Sequence, residues 1–567
     1  MSDSPAGALA ALATEYWEQT LAWNPLTATL VGDRRFDDSM PDLAPEALEA
    51  QRSDLAALAV RADTIPTDGL SPEERVTRLQ LIALAKHGVD ERSTGFESWL
   101  LDPLEGPQVS LLSLPAWHAV RTRGEADAFL ARVEAMGPYL VQHIANLERG
   151  HAAGLSSSLD AVKKVAQELT ELLAKPSPGW SLVTEPVAAL PPAFGDAARR
   201  RLQGELEAAV ERAVRPGFER LARFVRDVAL PRARPADRAG LCALPEGRAT
   251  YDRTLRIHTS LSQTAQAIHE LGLAEVDRIN EETRALGERV LGTSELAAIQ
   301  ARLRSDPALH FTSREEVEAK AASALRRAEA EAPRWFGRLP KAPCIVRRIE
   351  EHEEKFSTIA YYRSPAADGS RPGTYFINTY APATRPRYDA EALAFHEAVP
   401  GHHMQIAIAQ ELTGIPEFRK HTGPTAYVEG WALYTERLCD EMGLYSGDLD
   451  RFGMLSFDSW RACRLVVDTG LHALGWSRAR AIEYMRSNSV LAENNIENEV
   501  DRYISWPGQA TAYKIGQLEI LRLRAASRAR LGAAFDLPRF HDAVLGSGAV
   551  GLATLAEMLA PEPPPRG

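Results

Sequence analysis

The residues best suited to chemistry are three histidines and a glutamate in one short segment. His396 is followed directly by Glu397, and His402 and His403 come six and seven residues after His396. A zinc hydrolase needs two imidazole ligands and a carboxylate near the bound water, and an H-E-x-x-H motif supplies them on one helix face. Here Pro400 stands where the second histidine of that motif would be. The segment therefore has the composition of a zinc motif but a longer interval between its histidines.

The longer interval requires a distortion of the helix. On an ideal helix, residues six or seven positions apart lie about 9–10.5 Å apart along the axis, too far for nitrogens that each lie about 2.0–2.1 Å from one ion. Pro400 and Gly401 permit a bulge, because proline removes a helical hydrogen bond and glycine accepts unusual dihedral angles. A bulge of two residues brings His402 into place, and one of three residues brings His403. We predict His402 as the ligand, with His403 supporting the ligands or contacting the substrate.

A third ligand is predicted on the next helical segment, residues 428–436. Metallopeptidases that use a glutamate as third ligand place it on such a following helix, and Glu429 has this position. Three protein ligands leave the fourth position of zinc to water, as in catalytic sites. Glu436 lies on the same face and is a candidate to orient a ligand. The sequence thus predicts one Zn²⁺ per chain on His396, His402 and Glu429, although a helix with chance histidines is the alternative.

The elements that must position these residues are mainly helices. Residues with high helix propensity recur, with apolar side chains three and four positions apart, in segments 5–22, 123–150, 156–175, 195–229, 258–292 and 313–331. We therefore predict a mainly α fold. A mostly helical region over 1–342 would form one side of a cleft, followed by a catalytic region over 343–560 and a proline-rich tail over 561–567.

One zone departs from the helical pattern. Residues 343–362 and 373–380 are rich in β-branched and aromatic residues, and the residues between them favour turns. This pattern predicts a small antiparallel sheet just before the helix that carries His396. Asn378, at the end of the second segment, is a candidate to bind a substrate backbone in the way that an added edge strand is bound.

Composition excludes several classes of protein. The chain of 567 residues carries a net charge of −12 and lacks the basic footprint of nucleic-acid binding. Its four cysteines form no C-x-x-C pair, so neither a disulfide framework nor a thiolate zinc site is predicted. No basic region precedes the apolar residues 6–13, and no segment is long enough to span a bilayer. We expect a cytoplasmic protein without a membrane partner; its oligomeric state is left open.

These motifs resemble the bacterial domain-of-unknown-function family 885 (DUF885) nearly from end to end. The matching segments are 24–29, 368–379, 396–403, 429–434 and 502–516. That family is similar to gluzincin metallopeptidases, including the Taq-type carboxypeptidases and the thimet and angiotensin-converting oligopeptidases. The resemblance implies a mostly helical, bilobed fold with a long cleft. The chain departs from these relatives by two extra residues between Glu397 and Gly401, while Glu429-Gly430 resembles the Glu-Gly of gluzincin aminopeptidases.

The predicted mechanism is hydrolysis of an amide bond by metal-activated water. Glu397, directly after a ligand, would act as general base. The resemblance implies that a tyrosine from a late segment stabilises the oxyanion, which indicates Tyr513, with Tyr503 and Arg502 as alternates. We predict a zinc metallopeptidase-like hydrolase for small peptides. An amidohydrolase acting on a non-peptide amide and a non-catalytic, zinc-stabilised binding protein are the alternatives.

Overall fold

Helices make up most of the structure, as the spacing of the apolar residues predicts. The computed structural model describes residues 4–560 apart from 352, 356, 367, 368, 370 and 422. The predicted tail at 561–567 and three residues of the predicted turn (367, 368 and 370) lie outside the described residues. The mainly α fold predicted from the sequence is confirmed. None of the described helices is both long and apolar enough to cross a lipid bilayer.

The α-helices follow one another along the chain, with the sheet between the fifteenth and sixteenth. Those before the sheet are α1 (Pro5–Trp23), α2 (Pro25–Leu30), α3 (Pro45–Thr64), α4 (Pro72–Arg92), α5 (Pro107–Ser113), α6 (Arg123–Ala152), α7 (Leu159–Ala174), α8 (Ser181–Ala189), α9 (Gly195–Ala209), α10 (Arg215–Phe224), α11 (Leu230–Arg232), α12 (Gly247–Thr259), α13 (Ala265–Leu291), α14 (Leu296–Ser305) and α15 (Arg314–Glu331). Those after it are α16 (Asp389–Glu397), α17 (His402–Gln410), α18 (Phe418–His421), α19 (Thr425–Glu441), α20 (Asp448–His472), α21 (Arg478–Asn488), α22 (Glu493–Ser505), α23 (Ala512–Leu531), α24 (Leu537–Leu545) and α25 (Leu552–Leu559).

One predicted helix is divided in the structure. The helix expected over 258–292 is interrupted between the end of α12 and the start of α13. Ser260 has a φ of 53°, in the left-handed region that ends helices. The Thr264 side chain then accepts a hydrogen bond from the amide of Ala267 and caps α13. The capping residue was visible in the sequence, but the apolar spacing continued through it.

The predicted sheet is present, but its strands are mixed rather than all antiparallel. It comprises β1 (Cys344–Arg348), β2 (Ala360–Arg363) and β3 (Gly373–Ile377), in the order β1-β3-β2. β2 pairs antiparallel with β3, whereas β1 pairs parallel with β3. The alternation of side chains along a strand is the same in either direction, so strand direction could not be read from the sequence.

The largest hydrophobic core surrounds the sheet and the helices that follow it. It contains buried side chains from both sides of residue 342, among them Phe336, Tyr375, Phe395 and Trp431. A separate core lies within residues 101–229 and joins α6, α7, α9 and α10. The helices that carry the histidines thus pack in the core shared by the two predicted regions.

Two glycines allow α19 and α23 to approach closely. A Cβ atom on Gly430 would lie 2.3 Å from the Cα of Gly516, and one on Gly516 would lie 1.9 Å from the carbonyl oxygen of Ala426. No other residue fits at these positions without moving a helix. The contact brings Tyr513, one turn before Gly516 on α23, towards the helix that carries Glu429.

Candidate metal centre

The segment that carries the histidines consists of two helices rather than one bulged helix. α16 ends at Glu397 and α17 begins at His402. Between them Ala398 and Gly401 have ψ angles of −115° and −130°, and the Val399–Pro400 peptide is cis. A Cβ atom on Gly401 would lie 1.9 Å from the carbonyl oxygen of His396, so the turn requires glycine. The distortion predicted at Pro400 and Gly401 is therefore larger than expected, because the chain leaves the helix and starts another.

This break brings His402 beside His396 and both beside Glu429. The centroids of the two imidazole rings are 4.8 Å apart. Nε2 of His396 lies 3.6 Å from Oε2 of Glu429, and Nε2 of His402 lies 3.5 Å from the same oxygen. Each of the three residues offers a ligand atom within 4.8 Å of the others. Among the residues that the structure describes, no other group of histidines, cysteines and acids meets this criterion.

Glu436 holds one of these imidazoles in a single orientation. Its Oε1 lies 2.8 Å from Nδ1 of His396, and both side chains are buried. A carboxylate at this distance accepts the Nδ1 proton, which leaves Nε2 as the nitrogen directed at Glu429. In metal sites, a histidine ligand usually has such a partner on its other nitrogen.

The electrostatics of the cluster favour positive charge. Burial lowers the pKa of His396, but the neighbouring carboxylates of Glu429 and Glu436 outweigh it and raise the pKa to about 9. Burial also acts to raise the pKa of Glu429, yet the close approach of the His396 and His402 imidazoles holds it well below its usual range. The carboxylates around the two imidazoles therefore favour an added positive charge, which a proton or a metal ion can supply.

The three residues lie at the edge of a large cleft. Its volume is about 1080 Å³, and His396, His402, Glu429 and Glu397 all line it. Glu397 is half-buried at the end of α16, and its charge contributes to the raised pKa of His396. Strands β2 and β3 and helices α20, α22 and α23 supply other parts of the lining. The cluster thus combines buried ligands with access for a substrate.

Residues 25–559 match the family described as bacterial protein of unknown function (DUF885). The chain belongs to the DUF885 family. This confirms the resemblance seen in its motifs, and the family description names no activity. No curated protein matches the chain.

Two solved structures share the fold of this DUF885 chain. One is a protein provisionally described as a lipoprotein from Colwellia psychrerythraea; it is 26% identical, with a TM-score of 0.90, and the alignment covers 98% of each chain. The other is provisionally described as a lipoprotein of unknown function from Shewanella oneidensis; it is 18% identical, with a TM-score of 0.76, over 97% of this chain and 99% of that one. Both alignments extend over nearly the whole of each chain, so the similarity covers the complete architecture and is not confined to one domain.

In the DUF885 chain, His403 points away from the cluster. Its Nδ1 lies 2.9 Å from the hydroxyl oxygen of Tyr362, and its Nε2 lies 3.0 Å from the carbonyl oxygen of Ala342. Burial lowers its pKa to about 4, so the ring is neutral. His403 therefore ties α17 to β2 and to the chain before β1. It is absent from the cleft lining, to which its partner Tyr362 belongs, and its contact with substrate stays a prediction.

The three candidates for stabilising the oxyanion have different positions. Tyr513 lines the cleft, and its ring lies over the guanidinium of Arg464, 4.5 Å from the ring centroid. Arg502 also lines the cleft and stacks on Trp506. Tyr503 is buried elsewhere, where its hydroxyl accepts hydrogen bonds from Trp460 and Arg464 at 3.0 and 2.9 Å. Tyr503 is therefore not part of the cleft lining, whereas Tyr513 and Arg502 are; which of them stabilises the oxyanion stays a prediction.

Asn378 borders the cleft, but its amide is already engaged. Its Nδ2 donates to the carbonyl oxygens of Glu354 and Thr358 at 2.6 and 3.0 Å, and its Oδ1 accepts from the amide of Tyr380 at 2.9 Å. These bonds hold the ends of β3 and of the segment before β2 together. These bonds use both Nδ2 donors, whereas Oδ1 can accept a second hydrogen bond, so the contact with a substrate backbone stays a prediction.

Sequence reasoning missed the part of the cleft lining that comes from α20. This helix is buried along almost its whole length although it carries several charged residues. Trp460, Arg461 and Arg464 from this helix all line the cleft. The available signal was the three-residue spacing of Arg461 and Arg464 beside aromatic residues. Charged residues on a helix are, however, more often part of a solvated face.

Proposed function

We propose that the chain is a zinc-dependent hydrolase that cleaves amide bonds of small peptides. The observation that carries this proposal is the convergence of His396, His402 and Glu429 at the edge of the cleft, with Glu397 beside them. Two imidazoles and one carboxylate form a ligand set used by catalytic zinc sites in peptidases.

The spacing of the ligand atoms fits a zinc ion. Two atoms that each lie about 2.0–2.1 Å from a tetrahedral ion are about 3.3–3.4 Å apart. The separations between Glu429 and the two histidines, 3.6 and 3.5 Å, are close to this value. Zinc bound here would supply a Lewis acid that makes water nucleophilic at neutral pH.

Glu397 and Tyr513 have positions suited to the remaining chemistry. The carboxylate of Glu397 follows a ligand directly and faces the cleft, so it can take the proton of the attacking water and pass it to the leaving amine. The Tyr513 hydroxyl has no hydrogen bond to another described residue, and it can donate to the oxygen of the tetrahedral intermediate.

The shape of the site favours this function over the two alternatives. A structural zinc site closes with a fourth protein ligand, whereas the described cluster has three and borders a cleft. This supports a hydrolase over a zinc-stabilised binding protein. A cleft of about 1080 Å³ is at the upper end of small-molecule pockets, which favours a peptide over a compact non-peptide amide.

The test is to incubate zinc-loaded protein with a library of short peptides and to identify products by mass spectrometry. Glu397→Gln is the matched control, because it retains the shape of the side chain and removes the base. Cleavage by the parent but not by the variant supports the proposal. Absence of cleavage by the zinc-loaded parent, or equal cleavage by the variant, would refute it.

We propose a cytoplasmic protein that takes a small peptide or amide and binds neither nucleic acid nor membrane. The two solved relatives are described as lipoproteins, so fractionation of cells that express the full chain is the appropriate check of location.

A further inference from the structure

Arg461 is a buried cation at the cleft that forms no ion pair with a described residue. Its side chain is 5% exposed, and its Nε and Nη1 atoms have no hydrogen-bond partner among the described residues. It nevertheless belongs to the cleft lining. A buried guanidinium usually has its donors satisfied, because an unmet donor in a protein interior costs free energy.

The neighbours of Arg461 position its guanidinium without neutralising it. The guanidinium carbon lies 4.2 Å from the ring centroid of Trp460, 4.7 Å from that of Phe457 and 5.8 Å from that of Tyr513. These rings restrict the side chain and attract its charge, but they accept no conventional hydrogen bonds. The planar fork of donors is therefore held in place beside Tyr513.

The neighbouring Arg464 is different, because the protein neutralises it. Its Nη2 lies 2.6 Å from a carboxylate oxygen of Glu499, and its Nε donates to the hydroxyl of Tyr503. No described carboxylate forms an ion pair of this kind with Arg461. Burial raises the pKa of Asp389 to about 8, although the charge of Arg461 opposes the shift, so this acid is mostly protonated at neutral pH.

We infer that Arg461 binds a carboxylate group of the substrate. A guanidinium offers two parallel donors that match the two oxygens of a carboxylate, and burial strengthens the pairing. The inference rests on the proposed peptide hydrolysis and defines its substrate class. Because Arg461 adjoins Tyr513, the bound carboxylate lies near the cleaved bond. It is either the C-terminal carboxylate of a short peptide or an acidic side chain.

The test measures binding without turnover. Zinc-loaded Glu397→Gln protein is titrated calorimetrically with N-acetyl-trialanine, with its C-terminal amide, and with that amide carrying one internal glutamate. The free acid should bind about 10–100 times more tightly than the plain amide, as expected for a hydrogen bond to a charged group. If the glutamate peptide has this advantage instead, the group that binds is an acidic side chain.

A second substitution connects the preference to Arg461. In Arg461→Gln, added to the same background, acid and amide should bind with equal affinity. Arg461→Lys retains the charge but not the paired donors, so its preference should fall several-fold, and it serves if the glutamine variant does not fold. Arg451→Gln is the control, because this substitution removes the same charge from the outer side of α20. There Arg451 pairs with Asp440 and Asp448.

The outcomes separate this inference from the proposed function. Equal affinity for all three peptides, no binding of any at millimolar concentration, or an undiminished preference in the Arg461 variants would overturn the carboxylate site. If the preference is present but the parent cleaves none of the peptides, the proposed hydrolysis fails for this class while the carboxylate site stands.

Discussion

Nδ1 of His396 lies 2.8 Å from Oε1 of Glu436, a residue 40 positions later in the chain. This hydrogen bond joins the end of α16 to α19, the helix that also carries Glu429. It leaves Nε2 of His396 directed at the Glu429 carboxylate, which Nε2 of His402 also approaches. One carboxylate thus sets the orientation of a proposed ligand from a neighbouring helix.

Replacing Glu436 with glutamine should weaken zinc binding without abolishing it. The amide oxygen can still accept the Nδ1 proton, but the charge that strengthens the ligand is lost. We expect affinity to fall about 10–100-fold, the range typical of such partners. Competition with a chromogenic chelator measures this. Glu441→Gln, on the same helix but paired with Arg524, is the control, and equal losses in the two variants would contradict the role of Glu436.

Alanine substitutions should separate the two adjacent histidines. His402→Ala, like His396→Ala and Glu429→Ala, should lose bound zinc, since each removes one of three ligands. His403→Ala should retain zinc, because both of its nitrogens bond elsewhere, but should lower the free energy of unfolding. Metal analysis and thermal unfolding measure the two effects. Loss of zinc in His403→Ala with retention in His402→Ala would reverse the ligand assignment.

Glu397→Gln should abolish most hydrolysis while zinc stays bound. A general base typically contributes about 10²–10⁴-fold to the rate, so kcat for any cleaved peptide should fall by that factor. Glu397 accepts no hydrogen bond from another described residue, so the variant should unfold at the same temperature as the parent. Equal kcat values would mean that another group activates the water.

Tyr513→Phe should reduce kcat far more than it changes KM. Loss of one oxyanion donor typically costs about 10²–10³-fold in kcat, and the ring can still pack over Arg464. Tyr503→Phe is the matched comparison. It should lower stability, because Trp460 and Arg464 lose an acceptor, while kcat of the folded enzyme remains within a few-fold. Kinetics and thermal unfolding of both variants check this, and a larger kcat loss in Tyr503→Phe would reverse the assignment.

Zinc affinity should rise with pH through the neutral range. The pKa of His396 in the metal-free protein is raised to about 9, so the ring holds a proton below that pH. Zinc must displace this proton, and apparent affinity should increase about tenfold per pH unit between pH 7 and pH 9 and then level off. Chelator competition at several pH values measures this, and an affinity independent of pH over that interval would contradict the raised pKa.

Much of the fold and some of the site could be predicted because the relevant signals are local. Apolar spacing gave the positions of α1, α6, α7 and α15, and β-branched residues located the sheet. Pro400 and Gly401 correctly indicated a distortion between the histidines. Proline restricts the backbone and glycine widens its conformational range in any context. Its extent was underestimated, because the path after the break depends on how α17 packs against α19.

Other features depend on contacts between distant segments, and the sequence does not display these. The direction of β1 depends on the route of the chain between the strands. Tyr503 bonds to Trp460 and Arg464 and is not itself part of the cleft lining, whereas Tyr513 is part of it. The side-chain amide of Asn378 donates hydrogen bonds to carbonyl groups about twenty residues earlier in the chain. From residue type alone, each of these side chains could equally bind substrate or support the fold.

The sequence by itself determined which side chains have the chemistry of a metal site, because ligand capacity is a property of residue type and the histidine segment is short. The tertiary structure alone decided which of these side chains meet. It placed His402 beside His396 and Glu429, turned His403 towards Tyr362, and left Arg461 at the cleft without an ion pair to any described residue. The reason is geometric, because the partner of a side chain depends on how separate helices pack. A small rotation of one helix moves a side chain from the cleft into the core.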